Sequence, residues 1–174
     1  MKMELMEDLY IEELKDLFDA ENQLLKALPE MAKSATSEEL RSMLQLHTDQ
    51  TKGHVERLEQ VMGKFGERAK GRKCRAMTGL IEEANEFLEE DAEPEIKDAA
   101  LITNAQKIEH YEIAGYGSAC AHAKVLGFED QAELLHKTLA EEEETDEKLN
   151  LVAEIINRDA AEGEVASSGK SQNK

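Results

Sequence analysis

The sequence predicts an all-α protein: four long helices arranged as two hairpins, joined by a long crossover that carries a short extra helix. Three observations predict it. Apolar residues recur at alternating steps of three and four along four long stretches, the period of a helix that buries one stripe. Aromatic residues make up 4% of the chain, Trp is absent and Pro occurs twice, a profile opposed to sandwiches and barrels with their aromatic strands and many turns. The turn inside each hairpin is short, whereas the link between hairpins is long.

The first helix is expected over about 3–33. Leu14, Leu17, Leu24, Leu28 and Met31 share one face, and Glu21 occupies the missing step between Leu17 and Leu24. Pro29 is expected to kink this helix or end it early. Residues 34–37 form a turn in which Thr36 or Ser37 caps the next helix, with Glu38 and Glu39 in its first turn. That second helix, about 38–65, has the seam Leu40, Leu44, His47, Thr51, His54, Leu58, Val61 and Phe65, with Gln50 beside the two histidines.

Residues 63–78 break the pattern with three glycines and a run of Lys and Arg, and read as an exposed connection, a solvated loop or one with an internal charge partner rather than an anion site. A short helix is expected over about 79–90, closed by the residues before Pro94. The third long helix, about 95–125, carries the stripe Ala99, Ile102, Gln106, Glu109, Ile113, Tyr116 and Cys120, with Glu112 at one edge of the face and His110 at the other. Its glycines and alanines from Gly115 onward permit close helix contact. The fourth, about 129–158, runs through Ala132, Leu135, Leu139, Glu142, Asp146, Leu149, Ala153 and Ile156. Here two acids stand where leucines would serve a core. Glu141, Glu143 and Glu144 read as its solvated side.

A bundle domain over 1–159 and a structureless tail over 160–174 follow, the tail lacking an apolar stripe. Two hairpins joined by one crossover long enough to span the bundle define the ferritin-like topology. The net charge of −18 argues against nucleic acid or an anionic membrane as partner. The start of the chain is amphipathic and acidic, unlike a secretion signal, and no apolar run approaches the roughly 18 residues of a spanning helix. Cys74 and Cys120 form no framework or CxxC pair, which fits a reducing, cytoplasmic setting.

Each long helix interrupts its seam near its middle: Glu21, then His47, Gln50 and His54, then Glu109 and Glu112, then Glu142 and Asp146. In antiparallel helices of similar length these positions lie at similar heights. A buried polar network explains any single interruption. Four coincident ones favour a metal centre, because buried carboxylates cost several kcal/mol or take up protons unless compensated. Carboxylates with one or two imidazoles, and no thiolates in the layer, suit iron or manganese rather than structural zinc. Tyr116 lies one heptad after Glu109, where it could hydrogen-bond a ligand, serve in electron transfer or simply fill the core.

The stretches DLFDAENQLLKALPEMA, HTDQTKGHVERLEQV, KCRAMTGLIEEANE, DAALITNAQKIEHYEIAGYG and TLAEEEETDEKL together resemble the YciE/YciF family, a stress-associated ferritin-like group also catalogued as a domain of unknown function. The resemblance covers most of 5–155. It implies a homodimer with a non-haem dinuclear metal centre, two iron or manganese ions held by Glu21, Glu109, Glu142 and Asp146 with His54 and Glu112. Gln50 stands where the family often has Glu, which would weaken one position or recruit Asp49 or His47. The function expected is consumption of peroxide or O₂, or oxidation of Fe(II), in stress response. The alternatives are a non-enzymatic stress or interaction protein whose polar layer is structural, and an iron-storage assembly.

Overall fold

The structure, a computed structural model, describes residues 4–66 and 72–170. These form five helices and no strands: α1 Met6–Ser34, α2 Glu38–Gly63, α3 Arg75–Glu89, α4 Pro94–Val125 and α5 Glu129–Lys170. α1 and α2 pair, as do α4 and α5, while α3 lies against α4 and α1. Contacts fix the directions. Asp98 at the start of α4 reaches Thr36 and Ser37 beyond the end of α1, and Tyr116 late in α4 reaches Glu21 mid-α1, so α1 and α4 are antiparallel. The descending series Arg57–Thr138, His54–Glu141 and His47–Thr145 makes α2 and α5 antiparallel as well. Since α1 is antiparallel to both, α2 and α4 run the same way. The crossover between them must therefore return along the bundle, which is what makes the topology ferritin-like.

The ends of the elements follow local chemistry. Ser37 Oγ accepts from Leu40 N and caps α2, whereas Thr36 turns to Asp98, whose carboxylate accepts from both backbone amides of the turn and from the Thr36 hydroxyl. α1 runs on through Pro29 to Ser34 instead of ending early. α3 begins earlier than the sequence predicts, at Arg75, because the Cys74 side chain accepts from Met77 N and its amide donates to Asp19. Arg72 pairs with Glu12 and Asp16, the internal partners expected of the basic link; residues 67–71 of that link lie outside the described residues. Gly127 takes φ 75° in the α4–α5 turn, a conformation glycine adopts without a Cβ penalty. α5 stays helical past 159 to Lys170, into the stretch expected as tail, and Ala160 is buried.

Two apolar layers fill the bundle. One, around Leu24, Leu28, Leu40, Leu44, Leu101 and Leu149, lies toward the α1–α2 turn. The other, around Tyr10, Leu14, Leu58, Val61, Ala119 and Leu135, lies toward the α4–α5 turn. The seams of α1 and α2 are buried as the sequence predicts, save Phe65, which is half-buried. Those of α4 and α5 are displaced. α4 touches α1, α3 and α5, so it buries a double face that adds Leu101, Ala105, Ile108, Glu112 and Ala119 to the predicted stripe. A Cβ on Gly115 would stand 2.7 Å from Leu17 Cδ2, so glycine permits the close approach of α1 and α4. In α5 the buried line is Leu135, Thr138, Glu142, Thr145, Leu149 and Val152, with Leu139, Asp146 and Ala153 half-buried beside it.

Candidate metal centre

Between the two apolar layers the bundle buries a polar waist. Glu21 from α1, His47 and His54 from α2, Glu109 and Glu112 from α4 and Glu142 from α5 are each no more than 2% exposed. They sort into two groups of donor atoms close enough to hold an ion: His47, Glu109, Glu112 and Glu142, and Glu21, His54 and Glu142. Glu142 belongs to both.

The two histidines, one heptad apart on α2, present opposite nitrogens to the interior. His47 Nε2 lies 3.3 Å from Glu109 Oε1 and 3.7 Å from Glu142 Oε2. His54 Nδ1 lies 2.9 Å from Glu142 Oε1 and 3.3 Å from Glu21 Oε1. Neither inward nitrogen has an aligned hydrogen-bond partner among the described residues. The same holds for Glu21 Oε2, Glu109 Oε2, both oxygens of Glu112 and both of Glu142. Folded proteins satisfy the great majority of buried polar atoms, so this concentration in one layer is a strong signal. Donors around a six-coordinate ion with bonds of about 2.1 Å lie about 3 Å apart, close to the separations found here. Nitrogen and carboxylate donors, with no thiolate in either group, suit iron or manganese. The residues therefore fit a metal.

The electrostatics without an ion show the same tension. Burial, and then the neighbouring Glu142, hold the Glu109 carboxyl well above the usual range; burial and then Glu21 do so for Glu112. Burial also raises Glu21, against the pull of His54. Burial would raise Glu142 too, but His54 and His47 outweigh it and hold that carboxylate low. Burial disfavours charge on His54, yet the carboxylates of Glu142 and Glu21 overcome it and raise its pKa to about 10. For His47 burial wins and the pKa falls. Without an ion, the waist thus favours the protonated forms of Glu109 and Glu112, while Glu142 and Glu21 favour the charged form of His54.

The outer sides of the ligands are unequal. His54 Nε2 meets Glu141 Oε2 at 2.9 Å, and Arg57 holds that carboxylate with two bonds of 2.8 Å while also donating to Thr138 Oγ1 at 2.9 Å. His47 has neutral partners: the Thr145 hydroxyl, 3.4 Å from Nδ1 and itself donating to the Glu141 carbonyl, and the Gln50 side chain. Tyr116 donates a short hydrogen bond to Glu21 Oε1, and its ring lies edge-on to His54.

Of the residues singled out in the sequence, Glu21, His54, Glu109, Glu112 and Glu142 converge. Glu112, placed at an edge of its helix by the sequence, is fully buried. Gln50 is half-buried beside His47 and joins neither group; His47 occupies that side instead. Asp146 also joins neither. It stands half-buried at the rim, 3.4 Å from His110 Nε2, and its expected place in the seam goes to Thr145. Both i+3 and i+4 steps suit a broad helix face, so spacing alone did not separate Thr145 from Asp146. Glu141, taken for the solvated side of α5, supports His54. The signal for it was Arg57, one turn beyond His54 on the same face of α2.

Fold and waist together define a ferritin-like bundle with a buried carboxylate–histidine group able to bind metal. The chain belongs to the family described as a domain of unknown function (DUF892), which matches residues 5–161. It is 44% identical over 162 residues to Protein YciF of Escherichia coli strain K12, covering 92% of this chain and 98% of that one. The crystal structure of the E. coli stress protein YciF superposes with a TM-score of 0.86 at 43% identity, over 90% of this chain and 99% of that one. A structure described as ferritin-like, diiron-carboxylate proteins from Bacillus anthracis matches with a TM-score of 0.68 at 16% identity, over 87% of this chain and 99% of that one, and shows the shared fold.

Proposed function

We propose that this protein is a dinuclear non-haem metalloprotein, binding two iron or manganese ions and consuming peroxide or O₂, or oxidising Fe(II), as part of a stress response. The observation that carries the reading is the pair of donor groups sharing Glu142, with most of their buried oxygens and both inward ring nitrogens lacking an aligned hydrogen-bond partner among the described residues. The description of the Bacillus anthracis neighbour as diiron-carboxylate and of E. coli YciF as a stress protein agrees with it.

In this reading His47, Glu109 and Glu112 would hold one ion, Glu21 and His54 the other, and Glu142 would serve both. A bound metal pair supplies redox equivalents and Lewis acidity to an oxygen substrate. The chain does the rest. The apolar layers around Leu24 and Leu58 close the waist from both ends and keep bulk water away. Glu109 and Glu112, whose burial favours the protonated form, would have to be ionised to hold an ion. Tyr116 orients Glu21 through its hydroxyl. A homodimer belongs to the same proposal, supported by the exposed Leu46, Leu151 and Ile155 on α2 and α5, as does a cytoplasmic setting, supported by the free buried Cys74 and Cys120.

The test is Glu142→Leu, which removes the shared carboxylate and leaves a helical, apolar position. The variant should keep its helical circular dichroism and lose both metal and peroxide consumption. Metal content equal to that of the wild type would overturn the assignment of the site.

A further inference from the structure

The two proposed metal positions are lined by the same donor types, four residues in the His47 group and three in the His54 group, but their imidazoles are held differently. His54 has a full carboxylate on its outer nitrogen, and that carboxylate is itself clamped by both arms of Arg57. His47 has only neutral partners among the described residues, the Thr145 hydroxyl at 3.4 Å and the Gln50 side chain. A histidine ligand whose outer N–H is donated to a carboxylate is fixed in tautomer and ring orientation and is a more basic ligand. In the neutral ring that ligation requires, donation from Nε2 leaves the lone pair of His54 on Nδ1, the nitrogen facing Glu21 and Glu142.

We infer that Glu141 and Arg57 are positioning residues that make the centre asymmetric: they render the Glu21–His54–Glu142 position the tighter of the two, so it fills first. The inference rests on the dinuclear reading above. Glu141 and Arg57 do not reach the donor groups themselves. Their side chains are 30% and 21% exposed, so the clamp lies at the edge of the bundle and can be altered without opening the core.

The experiment titrates metal-free protein with Co(II) alone, following its absorption against a competing chelator. Wild type should take up two ions in two separable steps. Glu21→Gln, which strips a carboxylate from one group only, marks the step belonging to His54, and that should be the first. Glu141→Gln should weaken this step 10- to 100-fold and leave the other within about twofold. Arg57→Lys, which keeps the charge but loses the two-armed grip, should weaken it less. Zn(II)-loaded protein supplies a readout that a merely structural role would not move: in ¹⁵N-resolved ring spectra, the His54 proton should sit on Nε2 in wild type and lose its carboxylate-bound shift in Glu141→Gln. Unaltered affinity in Glu141→Gln, equal weakening of both steps, or first filling at the His47 position would each overturn the inference. Failure of wild type to bind Co(II) at all would instead bring down the dinuclear reading beneath it.

Discussion

The apolar ends of the bundle and its polar waist are built from the same helices, and they solve opposite problems. In the end layers every seam position is filled by a side chain that needs nothing but its neighbours: Leu24, Leu28, Leu40 and Leu149 at one end, Leu14, Leu58, Val61 and Leu135 at the other. In the waist the same seams deliver Glu21, His54, Glu109, Glu112 and Glu142, whose polar atoms are buried and largely unpartnered. The ends stabilise the fold whatever is bound. The waist is costly to bury unless its carboxylates are compensated, by protons or by a bound cation.

The largest effect should come from the ends. Leu24→Ala, at a fully buried position, should cost about 2–5 kcal/mol, by nearly the same amount with or without metal; denaturant titration of both forms checks it. Metal should act through the waist alone. At 100 to 1,000 times its dissociation constant, Mn(II) should add about 2.7–4.1 kcal/mol per bound ion to wild type and nothing to Glu142→Leu, read from thermal melts. Glu112→Leu sharpens the contrast further. Replacing a buried, uncompensated carboxyl by a hydrocarbon should stabilise the metal-free protein by about 1–4 kcal/mol while lowering metal uptake; a loss of metal-free stability would contradict the picture.

Acid should separate the two regions more gently. Burial raises Glu109 and Glu112, so the metal-free folded state binds protons that the unfolded chain has released. Its stability should therefore fall as pH rises above the ordinary carboxylate range and through these raised values. The lowered Glu142 opposes this only when pH drops into that range. Metal loading should flatten the slope, and melts across pH in both forms measure it.

The sequence made the ends and much of the waist legible because the three–four spacing of α1 and α2 places Glu21, His47 and His54 on their buried seams, though it left open whether His47 or Gln50 stands beside the acids. It was less legible where geometry broadens the face. α4 is packed on by three helices, so Glu112 is central rather than marginal. In α5 a run of acids offers several registers, and spacing cannot tell Thr145 from Asp146 or single out Glu141 from Glu143 and Glu144. Only the partner helix decides, through Arg57 and His54. The early start of α3 was hidden because its cap is a cysteine, a residue with weak cap chemistry that works here because Asp19 and Tyr111 hold it in place.

The central claim is that the waist holds two ions, and metal content per chain tests it most directly. Protein purified without chelator or histidine tag, then loaded anaerobically with Fe(II) or Mn(II), should carry about two ions per chain by elemental analysis, as expected for two donor groups sharing one bridging carboxylate. A value that stays near zero after loading would contradict the account and leave the waist as a buried polar network.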